Sequence, residues 1–296
     1  MNIEMAYLLG MICGNGEIQR TTLDTIVSID IPHKKLQTDE IHDIKLYVKA
    51  SIADIRTIIE PLVGAGLNFS QNKSSTVLSF TKPNTDYLLR EINRFVGNAV
   101  SHNDIRIHED LFECTFDERK QFIKGFADVT GYIRRSNMYF KKFEHRVYFE
   151  IPHNWQLVVD ICNLLKSIDI PVQTIDWAHP NMRDGNLNAY NAGKPNFWKK
   201  EHQIKIWANE FIPVGFGIIH KQQALEMFSE ELIAGYKSLN KEPSEKTHKY
   251  YWESKRKSKK VKPFHPGETD EFIPIGIRGK HFDSWSGIAK ELGYVE

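Results

Sequence analysis

Cysteine is scarce in this chain. Cys13, Cys114 and Cys162 are the only three in 296 residues, and each sits among apolar neighbours. That excludes a disulfide framework and a thiolate metal site, and it predicts buried thiols in a reducing compartment. Long apolar runs are missing too. No stretch of 18 apolar residues occurs, so no membrane span is expected. The first residues lack a basic region followed by an apolar core and a cleavage signal, so a cytoplasmic or organellar location is expected rather than secretion. An excess of either charge is also absent. Lys and Arg number 39 against 38 Asp and Glu, a net charge of +1. A nucleic-acid partner must therefore be argued from local charge, not from the total. Apolar residues make up 41% and charged ones 26%, ordinary for a globular protein with a large core.

What the chain does have is one pattern twice. Leu8-Leu9-Gly10-Met11-Ile12-Cys13-Gly14-Asn15-Gly16 recurs as Ile123-Lys124-Gly125-Phe126-Ala127-Asp128-Val129-Thr130-Gly131. The likeness runs on, because Val27 to His33 matches Val147 to His153 through a shared Ile-Pro-His. In each copy an apolar-periodic helix follows (52–63 and 155–168), then two strands (67–70 with 76–81, and 172–176 with 203–208), then a closing helix (84–95 and 220–236). The periods of 3.6 and 2 give helix, hairpin, helix, hairpin, helix in each unit. Gly10 and Gly14 fall on one helix face and permit a close neighbour; the second copy keeps Gly125 but has Val129. Gly14 and Gly16 flank Asn15, as a helix leaving in unusual backbone angles requires. Gly10, Gly14 and Gly16 follow a helix and lack dinucleotide-binding spacing, which ranks a phosphate-cradling α/β enzyme last.

These residues resemble the LAGLIDADG family of homing endonucleases over about residues 5–235. The resemblance implies an α+β fold of two pseudo-symmetric αββαββα repeats, 1–112 and 113–236. Their antiparallel sheets would form a saddle in the major groove of double-stranded DNA. Residues 237–296 would be a basic linker and small helical extension. It implies a monomer with internal two-fold pseudo-symmetry that hydrolyses both DNA strands with Mg²⁺, Ca²⁺ being a non-cleaving substitute. Gly14, Asn15, Val129 and Thr130 would face the metal. Asn15 and Thr130 take the places of the catalytic acids, with Lys82 and Lys205 as electrostatic helpers at the scissile phosphates. The departure is that the family's usual Asp or Glu is missing at both positions. Asn lacks the charge that makes Mg²⁺ binding strong, Thr is a poorer ligand still, and a two-metal centre needs charged oxygens. Impaired cleavage is expected. Three accounts stand side by side: an inactivated variant, a silent DNA-binding relative, or recruitment of Glu17 or Asp128. The other reading of Asp128 is a polar residue of the helix C-terminal turn or a contact across the helix pair, and that of Glu17 is a strand residue facing DNA or solvent.

For DNA contact the candidates are Gln19, Arg20 and Thr22 in the first copy. In the second they are Arg134, Arg135, Asn137, Tyr139, Lys141, Lys142 and Arg146, with Lys199 and Lys200 in an Asn- and Gly-rich loop (178–201). Arg reads guanine, Asn and Gln read adenine, and Lys meets phosphate. A solvated strand face and a plain surface insertion are the alternatives. Lys257 and Lys259 belong to a run with six basic residues among 255–262. Residues 283–293 are expected to form a short packed helix, and the extension leaves a restriction-type endonuclease open. A non-catalytic DNA- or RNA-binding protein of the same fold is the remaining alternative.

Overall fold

A computed structural model describes residues 1–38, 43–135, 142–152, 154–176, 202–241, 275–277 and 280–282. Helix α1 (Ile3–Asn15) starts where the Asn2 side chain accepts from the Met5 N–H, and every residue from Met5 to Gly14 is buried. A helix apolar all round belongs inside a core. It runs straight into β1 (Gly16–Arg20), which pairs with β2 (Asp24–Pro32). Helix α2 (Ile44–Val63) is capped by Asp43 and begins eight residues before the expected 52. Strands β3 (Asn68–Gln71) and β4 (Ser75–Pro83) complete an antiparallel sheet of order β1-β2-β4-β3. Helix α3 (Tyr87–Val96), capped by Asp86, closes the unit.

The second unit repeats this order. Thr115 and Glu118 form a reciprocal capping box that starts α4 (Phe116–Thr130). Then come β5 (Gly131–Arg134), β6 (Arg146–Ile151), α5 (Trp155–Lys166), β7 (Thr174–Asp176) and β8 (His202–Trp207). A single turn, α6 (Ala208–Phe211), precedes the closing α7 (Ile219–Lys237). The fold is thus α+β, with two repeats of one architecture. The second sheet carries more than four strands. Strands β9 (Ile275–Ile277) and β10 (Lys280–Phe282) form a hairpin, and β9 lies parallel to β7, giving the order β10-β9-β7-β8-β6-β5. The extension, expected to be a linker and a helix, therefore supplies sheet; residues 283–293 lie outside the described residues. No helix among the described residues is long and apolar enough to cross a membrane.

Helices α1 and α4 pack backbone against backbone. A Cβ on Gly10 would run into the Phe122 carbonyl oxygen, and one on Gly125 into the Tyr7 carbonyl oxygen. Here glycine is needed for close approach. The same reason holds at the helix ends, where the expectation of unusual angles is corrected. Gly16 (φ −84°) and Gly131 (φ −93°) are ordinary extended residues. What a side chain would meet there is the Ile12 and Ala127 carbonyls of the last turn.

Candidate nucleic-acid interface and motif-helix ends

The two motif helices end side by side, and their final residues hold each other. The Asn15 side-chain amide donates across the pair to the Val129 carbonyl at 3.0 Å. Thr130 is buried and donates its hydroxyl back to the Phe126 carbonyl at 2.7 Å. Asp128 is fully buried. It accepts from the Tyr7 hydroxyl (2.6 Å) and from the Gly217 and Ile218 N–H groups (2.8 and 3.5 Å). Its reading as a contact across the helix pair is the one the geometry supports, since those donors turn it away from the outer face. Burial raises its affinity for a proton, against the pull of Lys221 and Tyr7.

Lys221, in the first turn of α7, is fully buried and lies 3.9 Å from the Asp128 carboxylate. Its ammonium donates to the carbonyls of Ala127, Asp128 and Gly131 at 3.0, 3.3 and 2.9 Å. Burial pulls its pKa down to about 7, with Asp128 opposing. A lysine whose folded pKa lies below its unfolded value costs stability at low pH. That cost is fully present below about 7 and is relieved as pH rises toward 10.5, because the unfolded state then releases its proton too. The expected result is that the unfolding free energy of the wild type rises from pH 7 to 9 more steeply than that of Lys221→Met. Equal slopes in denaturant titrations at both pH values would contradict it.

Asn15 and Thr130 offer a divalent ion no charged oxygen. Among the described residues no three His, Cys, Asp or Glu side chains converge. The Asn15 amide and the Thr130 hydroxyl donate to backbone carbonyls, and the oxygens they keep are neutral, whereas tight binding of a hard cation needs charged ones.

Gly16 and Gly131, the residues that follow the two helices, pair with Ile29 and Phe149, and the next residues on those partner strands are Asp30 and Glu150. Sequence reasoning missed this pair of acids. The signal was present, since both precede the repeated Ile-Pro-His by one residue. Asp30 is exposed. Glu150 is committed: it accepts from the Tyr132 hydroxyl (2.7 Å) and Gln203 (3.2 Å), and it pairs with Lys35 of the first repeat. Burial alone would raise the Glu150 carboxyl, but Lys35 outweighs it and holds the pKa at about 2.

The outer faces of the two sheets differ. On the first, Glu17, Gln19, Asp30, Asn68, Ser70 and Thr81 are exposed, and no Lys or Arg shares their strand-alternation face. Glu17 accepts from Gln19 at 3.3 Å. On the second, Tyr132 and Tyr148 stack with centroids 5.2 Å apart. Arg134 and Lys35 lie over the Tyr132 ring (4.4 and 4.8 Å), Lys205 over Tyr148 (5.9 Å), and buried Arg146 over Trp207 (4.2 Å).

Other expected contact residues are placed as follows. Arg20 reaches the carbonyls of Gly97 and Ala99 and the Asn93 side chain, at 2.8–2.9 Å, and so caps α3. Thr22 is exposed in the β1–β2 turn, and Lys142 is exposed before β6. Arg135 pairs with Glu231 (2.8 Å), which also receives His145 (2.7 Å). Lys82 lines a cleft with Met1, Asn2 and Met5, at the opposite end of α1 from Asn15, about 15 Å along the helix axis. Asn137, Tyr139, Lys141, Lys199, Lys200, Lys257 and Lys259 lie outside the described residues.

Neither a protein-family model nor a curated protein matches the chain. Its fold is similar to solved structures at low identity. One is I-DmoI in complex with DNA and Ca: 15% identity, 72% of this chain and 90% of that one, TM-score 0.39. Another is the homing endonuclease I-WcaI bound to its DNA recognition sequence: 11%, 78% and 85%, TM-score 0.39. A third is full-length DUF199/WhiA from Thermatoga maritima: 11%, 86% and 67%, TM-score 0.41.

Proposed function

We infer that this chain is a double-stranded DNA-binding protein on a LAGLIDADG-like scaffold, acting as a monomer and not cutting what it binds. The observation that supports this most is the state of the motif-helix ends. Two repeats of the αββαββα order meet at Gly10 and Gly125, and at the place of the acids Asn15 and Thr130 donate to backbone carbonyls. The polar open face of the first sheet supplies amides and hydroxyls of the kind that meet base edges. Arg134 and Lys205 on the second sheet, with Lys142 beside it, supply positive charge. A divalent ion is not needed for such contacts.

The test is fluorescence anisotropy with a labelled duplex, repeated over a range of salt and with EDTA. Each neutralised phosphate releases counterions, so the logarithm of affinity should fall linearly with the logarithm of salt, with a slope of about −0.9 per phosphate. EDTA should leave affinity unchanged. Affinity that ignores salt, or that collapses in EDTA, would contradict the reading. Preference for a single-stranded or hairpin RNA would favour the RNA-binding alternative instead.

A further inference from the structure

We propose that the carbonyl end of α4 is a cation site filled from within, with the Lys221 ammonium as its resident cation, and that Lys221 is a second barrier to a divalent ion beyond the missing acids. A helix C-terminus carries about half a negative charge and several carbonyls without intrahelical partners. At the end of α4 five carbonyls receive side-chain donors. Thr130 takes Phe126, Asn15 takes Val129, and Lys221 takes Ala127, Asp128 and Gly131. Three N–H bonds directed to three carbonyls use all the donors an ammonium has. Lys221 therefore has none left for a DNA phosphate, and its full burial keeps it from solvent.

Its position is fixed from several sides. The Gly217 and Ile218 N–H groups are held by Asp128, the Ile219 N–H by Asp54 at 2.9 Å, and the His220 ring by the Leu36 carbonyl at 2.7 Å. The start of α7 is thus clamped onto α4 and onto the first repeat, and Lys221 follows two residues after Ile219. The Phe216 ring lies 4.4 Å from its ammonium. The neighbouring Lys35 ammonium is held at Glu150 and adds a second positive charge close enough to disfavour protonation of Lys221. A divalent ion arriving at this end would meet an ammonium already bonded to three of its carbonyls.

The inference deepens the non-cleaving reading above, but its test uses no DNA, so the two can fail separately. Mn²⁺ binding is measured by electron paramagnetic resonance on the full chain at pH 6, where Lys221 is mostly protonated. The forms compared are the wild type, Asn15→Asp with Thr130→Glu, and that pair combined with Lys221→Gln or with Lys221→Arg. Gln keeps a hydrogen-bond donor and removes the charge; Arg keeps the charge. The wild type should bind no Mn²⁺ below millimolar. The acid-restored pair should bind weakly, Lys221→Gln should tighten it by about tenfold, and Lys221→Arg should not. Equal affinity with Lys, Gln or Arg at 221 would overturn the proposal. A second measurement needs no variant to fold: thermal unfolding of the wild type in millimolar Mg²⁺ and in EDTA, at matched ionic strength. Identical midpoints are expected, and a midpoint several degrees higher in Mg²⁺ would overturn the proposal.

Discussion

Gly125→Val is expected to abolish the native fold. The added Cβ would collide with the Tyr7 carbonyl oxygen, and that oxygen belongs to the backbone of a helix buried on every side. Forcing extra methyl groups into a packed core already costs about 1–3 kcal/mol when only side chains must move. Here two backbones must separate, and they join the two repeats, so a loss above about 4 kcal/mol is expected. Against a typical total of about 5–15 kcal/mol this leaves little or no folded protein. Gly10→Val should behave alike, since its Cβ would meet the Phe122 carbonyl oxygen. Gly66→Ala is the control, because nothing lies within 4 Å of a Cβ there. Urea titration followed by circular dichroism decides it. A Gly125→Val midpoint equal to that of Gly66→Ala would show that the helices are not packed this closely.

The second large effect concerns Asp128. Asp128→Ala would leave the Lys221 ammonium buried without its counter-charge, and the Tyr7 hydroxyl and Gly217 N–H without their acceptor. Removing one partner of a buried ion pair typically costs about 3–5 kcal/mol. Tyr7→Phe removes one donor and leaves the carboxylate three other partners, so about 1 kcal/mol is expected. Denaturant titrations of both variants test the order. Asp128→Ala no more destabilised than Tyr7→Phe would mean that Asp128 and Lys221 are not ionised in the core.

The duplication, the order of elements and the close helix pair were legible in the sequence because each rests on local periodicity or on a repeated spacing. Gly10 and Gly125 stand at matched places in two apolar runs, and they are the two glycines at which α1 and α4 meet backbone to backbone. The first turns of α2 were not legible. The buried stripe of α2 there is thin, with Leu46 and Ile44 exposed, so the periodic signal begins only near residue 52. Lys82 was expected, with Lys205, near the end of a second hairpin as an electrostatic helper at a scissile phosphate. On β4 it shares strand parity with buried Phe80, and the strand carries it to the far end of α1. The Asp128–Lys221 pair joins residues 93 apart in sequence, and no local pattern encodes such a contact. The parallel seat of β9 on β7 is likewise non-local, about a hundred residues apart, and short strands leave little alternation to read.

A scaffold that binds duplex DNA without a working metal centre should hold its target uncut in the presence of divalent ions. The most direct test is selection of bound duplexes from a random library in EDTA, followed by incubation of the selected duplex with Mg²⁺ and with Mn²⁺. The predicted result is an enriched sequence spanning about two helical turns, roughly 20 base pairs, that remains intact in both ions. Double-strand cleavage of that duplex by the wild-type chain, or no enriched duplex at all, would contradict the account.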